Sequence, residues 1–331
     1  MRSIPRRRPY QPPIWAPNGF TQTVFPALFR RGPRLRYMQQ ALELPDGDVT
    51  RVNWLRRAGA GKLAVLLPGL EGRAEVPYMR HMAGLLFSQG WDVAVLDHRG
   101  CGMPNRLFES YHSGRTGDLD FFLSRQTHYR RRLGLGFSLG GNIMLKYVGS
   151  HGAAAHLDAA VAVAPPFELS LSSRALETRF GGLLGRYFLH HLRRRVAEKA
   201  LRFPERLPAD ALRACRSVKA FDDLYTAPAH GFHSADDYYL RNSSWHFLTG
   251  IEKPTLILHA ENDPINPLPR YVRELLGLAQ PLTAVISAHG GHMGFPRSRS
   301  WRPRWHELQI LQWLGQPQKV WHRPHASPEY V

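Results

Sequence analysis

The sequence predicts an α/β fold: a doubly wound, mostly parallel sheet of eight strands with helices between them. Three observations predict it. Short apolar runs recur at 63–67, 91–96, 132–136, 157–164, 254–259 and 282–286, most of them separated by helical stretches. Two more strand patterns, 35–44 and 49–55, come first and are joined by Pro45-Asp46-Gly47-Asp48, a hairpin turn signal. One apolar run leads into Gly136-Phe137-Ser138-Leu139-Gly140, which reads as a strand, a tight turn and a helix.

In chain order, residues 1–34 form a basic arm rich in Pro and aromatics. Through residue 36 the chain carries eight arginines and no acidic residue. The prolines and aromatics suggest packing along the domain and not a solvated tail. After the hairpin, the strand at 63–67 runs into Pro68-Gly69-Leu70-Glu71-Gly72. A helix is expected over 77–89, then the strand ending at Asp97-His98-Arg99-Gly100, then a helix around 119–123 before the Ser138 turn. From 165 to 253 the alternation stops. That stretch reads as helical, basic and aromatic, with Leu183, Leu184, Tyr187, Phe188, Leu192 and Val196 at helical spacing. A helix with a solvated basic face is preferred there over a lipid-binding one. The strand pattern then resumes, a helix closes the core at Trp305–Leu314, and a Pro- and His-rich tail follows. The domain reading is an arm (1–34), a core (35–164 and 254–315), a helical insertion (165–253) and a tail (316–331).

Two cysteines, Cys101 and Cys215, give neither a disulfide framework nor metal-ligand spacing. They suit a reducing compartment, and with no signal-peptide core a cytoplasmic protein is expected. No apolar run approaches the ~20 residues that span a bilayer. The net charge of +18 favours polyanions in general and admits peripheral contact with an anionic membrane. No nucleic-acid-binding motif accompanies it, so specific nucleic-acid recognition is not expected.

A serine on a strand-to-helix turn is strained, and glycines two before and two after let the chain close. At neutral pH its hydroxyl needs an imidazole to take the proton, and the imidazole needs a carboxylate to fix its tautomer. Both are available on loops after later strands, where active sites of open α/β sheets gather. The first loop, Glu261-Asn262-Asp263-Pro264, offers Asp263 as acid with Glu261 as alternate; the second, His289-Gly290-Gly291-His292, offers two bases. The oxyanion amides are expected at Leu139, directly after the serine, and at Leu70, after the first buried strand. His-x-x-His raises a metal site only weakly, because no third ligand cluster is near in sequence. No cofactor is expected.

At this point the residues resemble the YheT-like α/β-hydrolases, esterases related to eukaryotic lipid-acting hydrolase-domain proteins. The resemblance runs from about Asn18 to Leu314. It rests on Asn18-Gly19 with Gln22-Thr23, on 68–72, and on Arg99-Gly100-Cys101 with Pro104-Asn105-Arg106. It continues through Tyr111 to Gly114 with Asp118, 136–141, Phe221-Asp222-Asp223, Asp237-Tyr238-Tyr239, Asp263-Pro264 and 289–292. It implies Ser138 as nucleophile, Asp263 as acid and His292 as base, and a cap built from the insertion after the sixth strand. Phe20 stands where the family usually has histidine, and the Arg99-Gly100-Cys101 segment is one residue shorter before Pro104-Asn105; both bear on the pocket rim. Pro68, where many relatives have histidine, removes a side chain that braces the loop and leaves the Leu70 amide available.

The function expected is hydrolysis of carboxylic esters, short-to-medium acyl or lipid-like, through a Ser138 acyl-enzyme. The partner is then a small-molecule or lipid ester. A thioesterase or acyltransferase would use the same three residues, and a non-catalytic membrane- or polyanion-binding protein on this scaffold is the reading from another class.

Overall fold

Alternate residues of the strand at Lys62–Leu67 (β3) enter two different cores. Leu63, Val65 and Leu67 pack on one face of the sheet, and Ala64 and Leu66 on the other. Burial on both faces makes such a strand a continuous apolar run, which is why the sequence pattern showed it. The computed structural model describes residues 9–278, 281–297 and 304–316. Its sheet has eight strands: β1 (Met38–Glu43), β2 (Val49–Leu55), β3, β4 (Asp92–Leu96), β5 (Arg131–Phe137), β6 (Ala159–Val163), β7 (Thr255–Ala260) and β8 (Leu282–Ser287). Their spatial order is β1-β2-β4-β3-β5-β6-β7-β8. β2 runs antiparallel to both β1 and β4, and the remaining neighbours are parallel.

α1 is Gly19–Phe29, α2 Pro77–Ser88, α3 Gly117–Ser124 and α4 Leu139–His151. α2 and the helix Trp305–Leu314 cover one sheet face through Met79, Met82, Leu86, Ile310 and Trp313. α3, α4 and the helix Arg270–Leu278 cover the other through Phe122, Ile143, Tyr147 and Leu276. Between β6 and β7 lies the helical insertion, with α5 (Leu169–Thr178), α6 (Leu183–Arg202) and shorter helices to Gly250. It has an apolar core of its own, including Leu189, Leu192, Val196, Leu212, Phe221 and Tyr225.

One expectation changes. The first strand begins at Met38 and not at 35, because Leu35 and Tyr37 pack against the α2-side core before pairing starts. The arm contains a helix that the sequence reading did not name, α1, capped by Asn18, whose side chain accepts from the Thr21 amide at 3.0 Å. The first eight residues of the arm and residues 317–331 of the expected tail lie outside the described residues.

Burial lowers the pKa of several histidines, among them His98, His112, His230, His259 and His306. Burial pushes His98 and His306 down from 6.5 to about 4, although the Pro68 carbonyl and Glu307 respectively pull the other way. A depressed histidine favours the fold while it stays neutral. As the pH drops below about 6.5 the unfolded chain takes up protons that the native state refuses. Stability is therefore expected to fall between pH 6.5 and 4, by roughly 2 kcal/mol per histidine at pH 5. Urea unfolding at pH 7.5 and 5 checks this. His306→Gln should remove its own share, about 2 kcal/mol at pH 5, and leave that of the other buried histidines.

Candidate active site

β5 ends and α4 begins with one residue between them, and that residue is Ser138, at φ 51° and ψ −119°. Such a conformation is costly for a residue with a β-carbon and holds only where the surroundings fix it. Here the Ser138 amide donates to the Val163 carbonyl at 2.8 Å, pinning the turn to β6. The flanking glycines are required by contact: a β-carbon at Gly136 would lie 2.1 Å from the Gly140 carbonyl oxygen, and one at Gly140 would lie 2.4 Å from that of Pro68.

The loops after β7 and β8 meet this turn. His292 Nε2 lies 2.9 Å from Ser138 Oγ, and His292 Nδ1 lies 2.8 Å from Asp263 Oδ2. The other carboxylate oxygen, Oδ1, accepts from the amides of Ile265 and Asn266 at 2.8 and 2.9 Å. Asp263 is fully buried. Burial alone would raise its carboxyl, but the facing His292, the hydrogen bond from it, His259 and the Asn266 amide outweigh that and hold it below the ordinary aspartate value. The alternates are elsewhere. Glu261 is exposed and paired with Arg273, and His289 is exposed.

Sequence reasoning did not find what holds the two loops in place. Gln22 of α1 is fully buried, and its Oε1 accepts from Asn262 Nδ2 at 3.0 Å and from the Gly290 amide at 2.7 Å. Thr23 Oγ1 accepts from the His292 amide at 2.8 Å. Asn262 Oδ1 accepts from the Gly291 amide at 3.0 Å. α1 is thus the backing plate of the acid and histidine loops, and a β-carbon at Gly19 would fall 2.0 Å from the Asn262 carbonyl oxygen. The insertion reaches the same place, since Arg179 Nη1 donates to the Asp263 carbonyl at 2.8 Å. The available signal was the spacing of Asn18, Gly19, Gln22 and Thr23.

The loop after β3 closes the site from the other side. A β-carbon at Gly69 would lie 3.3 Å from the Ser138 β-carbon. The next amide, that of Leu70, and the Leu139 amide at the start of α4 have no protein acceptor among the described residues. The orphan amides of a helix's first turn and its positive dipole end suit a developing anion. Chemically the arrangement provides a hydroxyl, an imidazole within hydrogen-bond reach of it, and a carboxylate behind the imidazole.

A family model described as the alpha/beta hydrolase fold matches residues 64–297, from β3 through the His292 loop. The chain belongs to the α/β-hydrolase family. This α/β-hydrolase is 36% identical to "Putative esterase YheT" of Escherichia coli (strain K12) over 90% of each chain. It is 27% identical to "Phospholipase ABHD3" of Mus musculus, over 86% of this chain and 73% of that one. Among solved structures, the esterase Pf2001 of Pyrococcus furiosus matches with a TM-score of 0.57 at 15% identity, over 88% of this chain and 96% of that one. That last likeness is one of fold.

Proposed function

We propose that this α/β-hydrolase cleaves carboxylic esters through an acyl-enzyme on Ser138. The observation that carries the reading is the continuous contact from Ser138 Oγ through His292 to Asp263, at 2.9 and 2.8 Å. His292 Nε2 takes the hydroxyl proton as Oγ attacks the ester carbonyl. Asp263 holds the imidazole tautomer and offsets the charge of the imidazolium. The amides of Leu70 and Leu139 receive the oxyanion, His292 returns the proton to the leaving alcohol, and water repeats the sequence to release the acid. The relatives named for esterase and phospholipase activity support an ester substrate.

The insertion acts as a cap, and a lipid-like ester suits it. Phe20 of α1 packs against Phe180 of the insertion, ring centres 4.6 Å apart and tilted by 39°. The same two elements expose further apolar side chains, Phe25, Leu28 and Phe29 on α1 and Leu183 and Tyr187 on α6. Arg186, Arg193 and Arg194 share α6 with the latter two. Exposed apolar side chains on α1 and α6, with arginines on α6, favour a substrate presented at an anionic lipid surface, and so peripheral contact with such a membrane.

The test is a fluorophosphonate probe followed by a series of acyl esters, offered as monomers and in vesicles with and without anionic lipid. The expected result is a label on the peptide containing Ser138, and turnover that is raised by anionic vesicles and suppressed by salt. Absence of both label and turnover would overturn the hydrolase. Turnover indifferent to lipid charge would overturn only the membrane contact.

A further inference from the structure

The loop that carries the Leu70 amide is fastened residue by residue. His98 Nε2 lies 2.9 Å from the Pro68 carbonyl, Tyr78 Oη accepts from the Gly69 amide at 2.9 Å, and Tyr111 Oη accepts from the Glu71 amide at 2.9 Å. Glu71 stands at φ 57°, in the left-handed region that a residue with a β-carbon avoids unless it is held there. Its side chain explains the holding. Glu71 Oε1 accepts from Tyr111 Oη and from Arg195 Nε, each at 2.6 Å. His98 stacks on the Tyr111 ring at 4.6 Å, and the Arg195 guanidinium lies 4.9 Å from the centre of the same ring.

Arg195 does not belong to the sheet or its loops. It projects from α6, in the insertion, and both it and Glu71 are largely buried, with side chains 8% and 14% exposed. A buried ion pair is weak evidence for stability, because desolvation cancels much of the attraction; its better-attested use is to fix one arrangement against others. Its position here defines what it fixes. Without Arg195 the Glu71 carboxylate would be left buried and short of a partner, and it would turn toward water. Tyr111 would then lose its acceptor and Glu71 the reason for its backbone conformation. Leu70, the residue between Glu71 and Gly69, would turn with it.

We propose that Tyr111 and Arg195 are positioning residues for the oxyanion hole: through Glu71 they aim the Leu70 amide at the Ser138 site, so the hole is assembled only while α6 is seated on the core. Seating of the insertion and catalytic competence are one event. The proposal rests on the reading of Ser138 and the Leu70 amide given above.

The experiment measures kcat and KM for an aryl ester, and the Ki of a trifluoromethyl ketone whose hemiketal oxygen occupies the hole, in Tyr111→Phe, Arg195→Gln and Arg195→Lys. Losing one aligned donor predicts a kcat lowered about 10²-fold, a Ki raised in parallel, and KM changed by less than about threefold. Arg195→Lys, which keeps the charge but not the guanidinium over the Tyr111 ring, should retain a higher kcat than Arg195→Gln. Unchanged kcat and Ki, or an effect on KM alone, would overturn the proposal. If Arg195→Gln does not fold, Tyr111→Phe decides, since it removes one oxygen and keeps the ring. Ser138→Ala run alongside separates the two claims: turnover that survives it overturns the Ser138 reading itself, whereas turnover lost there and kept in the three variants overturns only the positioning.

Discussion

Ser138→Ala is expected to lower kcat for a simple aryl ester by about 10⁴-fold or more and to abolish fluorophosphonate labelling. The side chain lost is small and the change is local. Ser138 is already 9% exposed on a turn held by the Val163 carbonyl, and that backbone contact does not involve the hydroxyl. Folding should therefore be nearly unaffected, and the melting temperature checks it. What disappears is the atom that the proposed reaction acylates. His292 would keep its bond to Asp263 and face an empty position, so it could at best activate a water molecule. The two amides would still polarise a bound carbonyl, which leaves a residual rate above that in water. Activity within tenfold of the wild type would mean that another group carries the chemistry.

The central strands were legible because they are buried on both faces and so print themselves as apolar runs, whereas the exposed β1 was marked by the hairpin turn that follows it. β6 and β7 are buried at every residue. Ser138 and the two loops of the candidate site were legible because the strained serine turn demands glycines and because strand ends identify the loops that carry the candidate acid and base. Two parts were hidden. α1 contains Pro26 and presents no strong apolar stripe, so nothing in its pattern announces a helix. Its work is done by Gln22 and Thr23, which accept from loops some 240 and 269 residues away. The Glu71–Tyr111–Arg195 cluster was hidden for the same reason: its members are 40 and 124 residues apart, and local periodicity carries no trace of such pairings. The choice between His289 and His292 needed either a resemblance or coordinates, because both are flanked by glycine and only folding leaves one exposed and the other beside Ser138.

Asp263→Asn is expected to lower kcat by about 10⁴-fold while leaving the loop in place. The two carboxylate oxygens have separate tasks. Oδ1 accepts from the Ile265 and Asn266 amides, and an asparagine carbonyl oxygen can take over both bonds. The amide nitrogen must then face His292 Nδ1, where Oδ2 now lies at 2.8 Å. A donor in that position forces Nδ1 to accept, so the imidazole proton moves to Nε2, the nitrogen 2.9 Å from Ser138 Oγ. A protonated Nε2 cannot take the serine proton, and the site holds its geometry with the base in the wrong tautomer. The aspartate avoids this because its carboxyl is held below the ordinary value and so stays ionised through the neutral range. A depressed carboxyl contributes to stability above its unfolded value and loses that contribution as the pH falls through the folded one, so the wild type should lose this share of its stability only in acid. In Asp263→Asn that acid-dependent share should be absent, and kcat should fall at every pH with the melting temperature little changed near neutrality. Activity retained to within about tenfold would show that the carboxylate orients nothing.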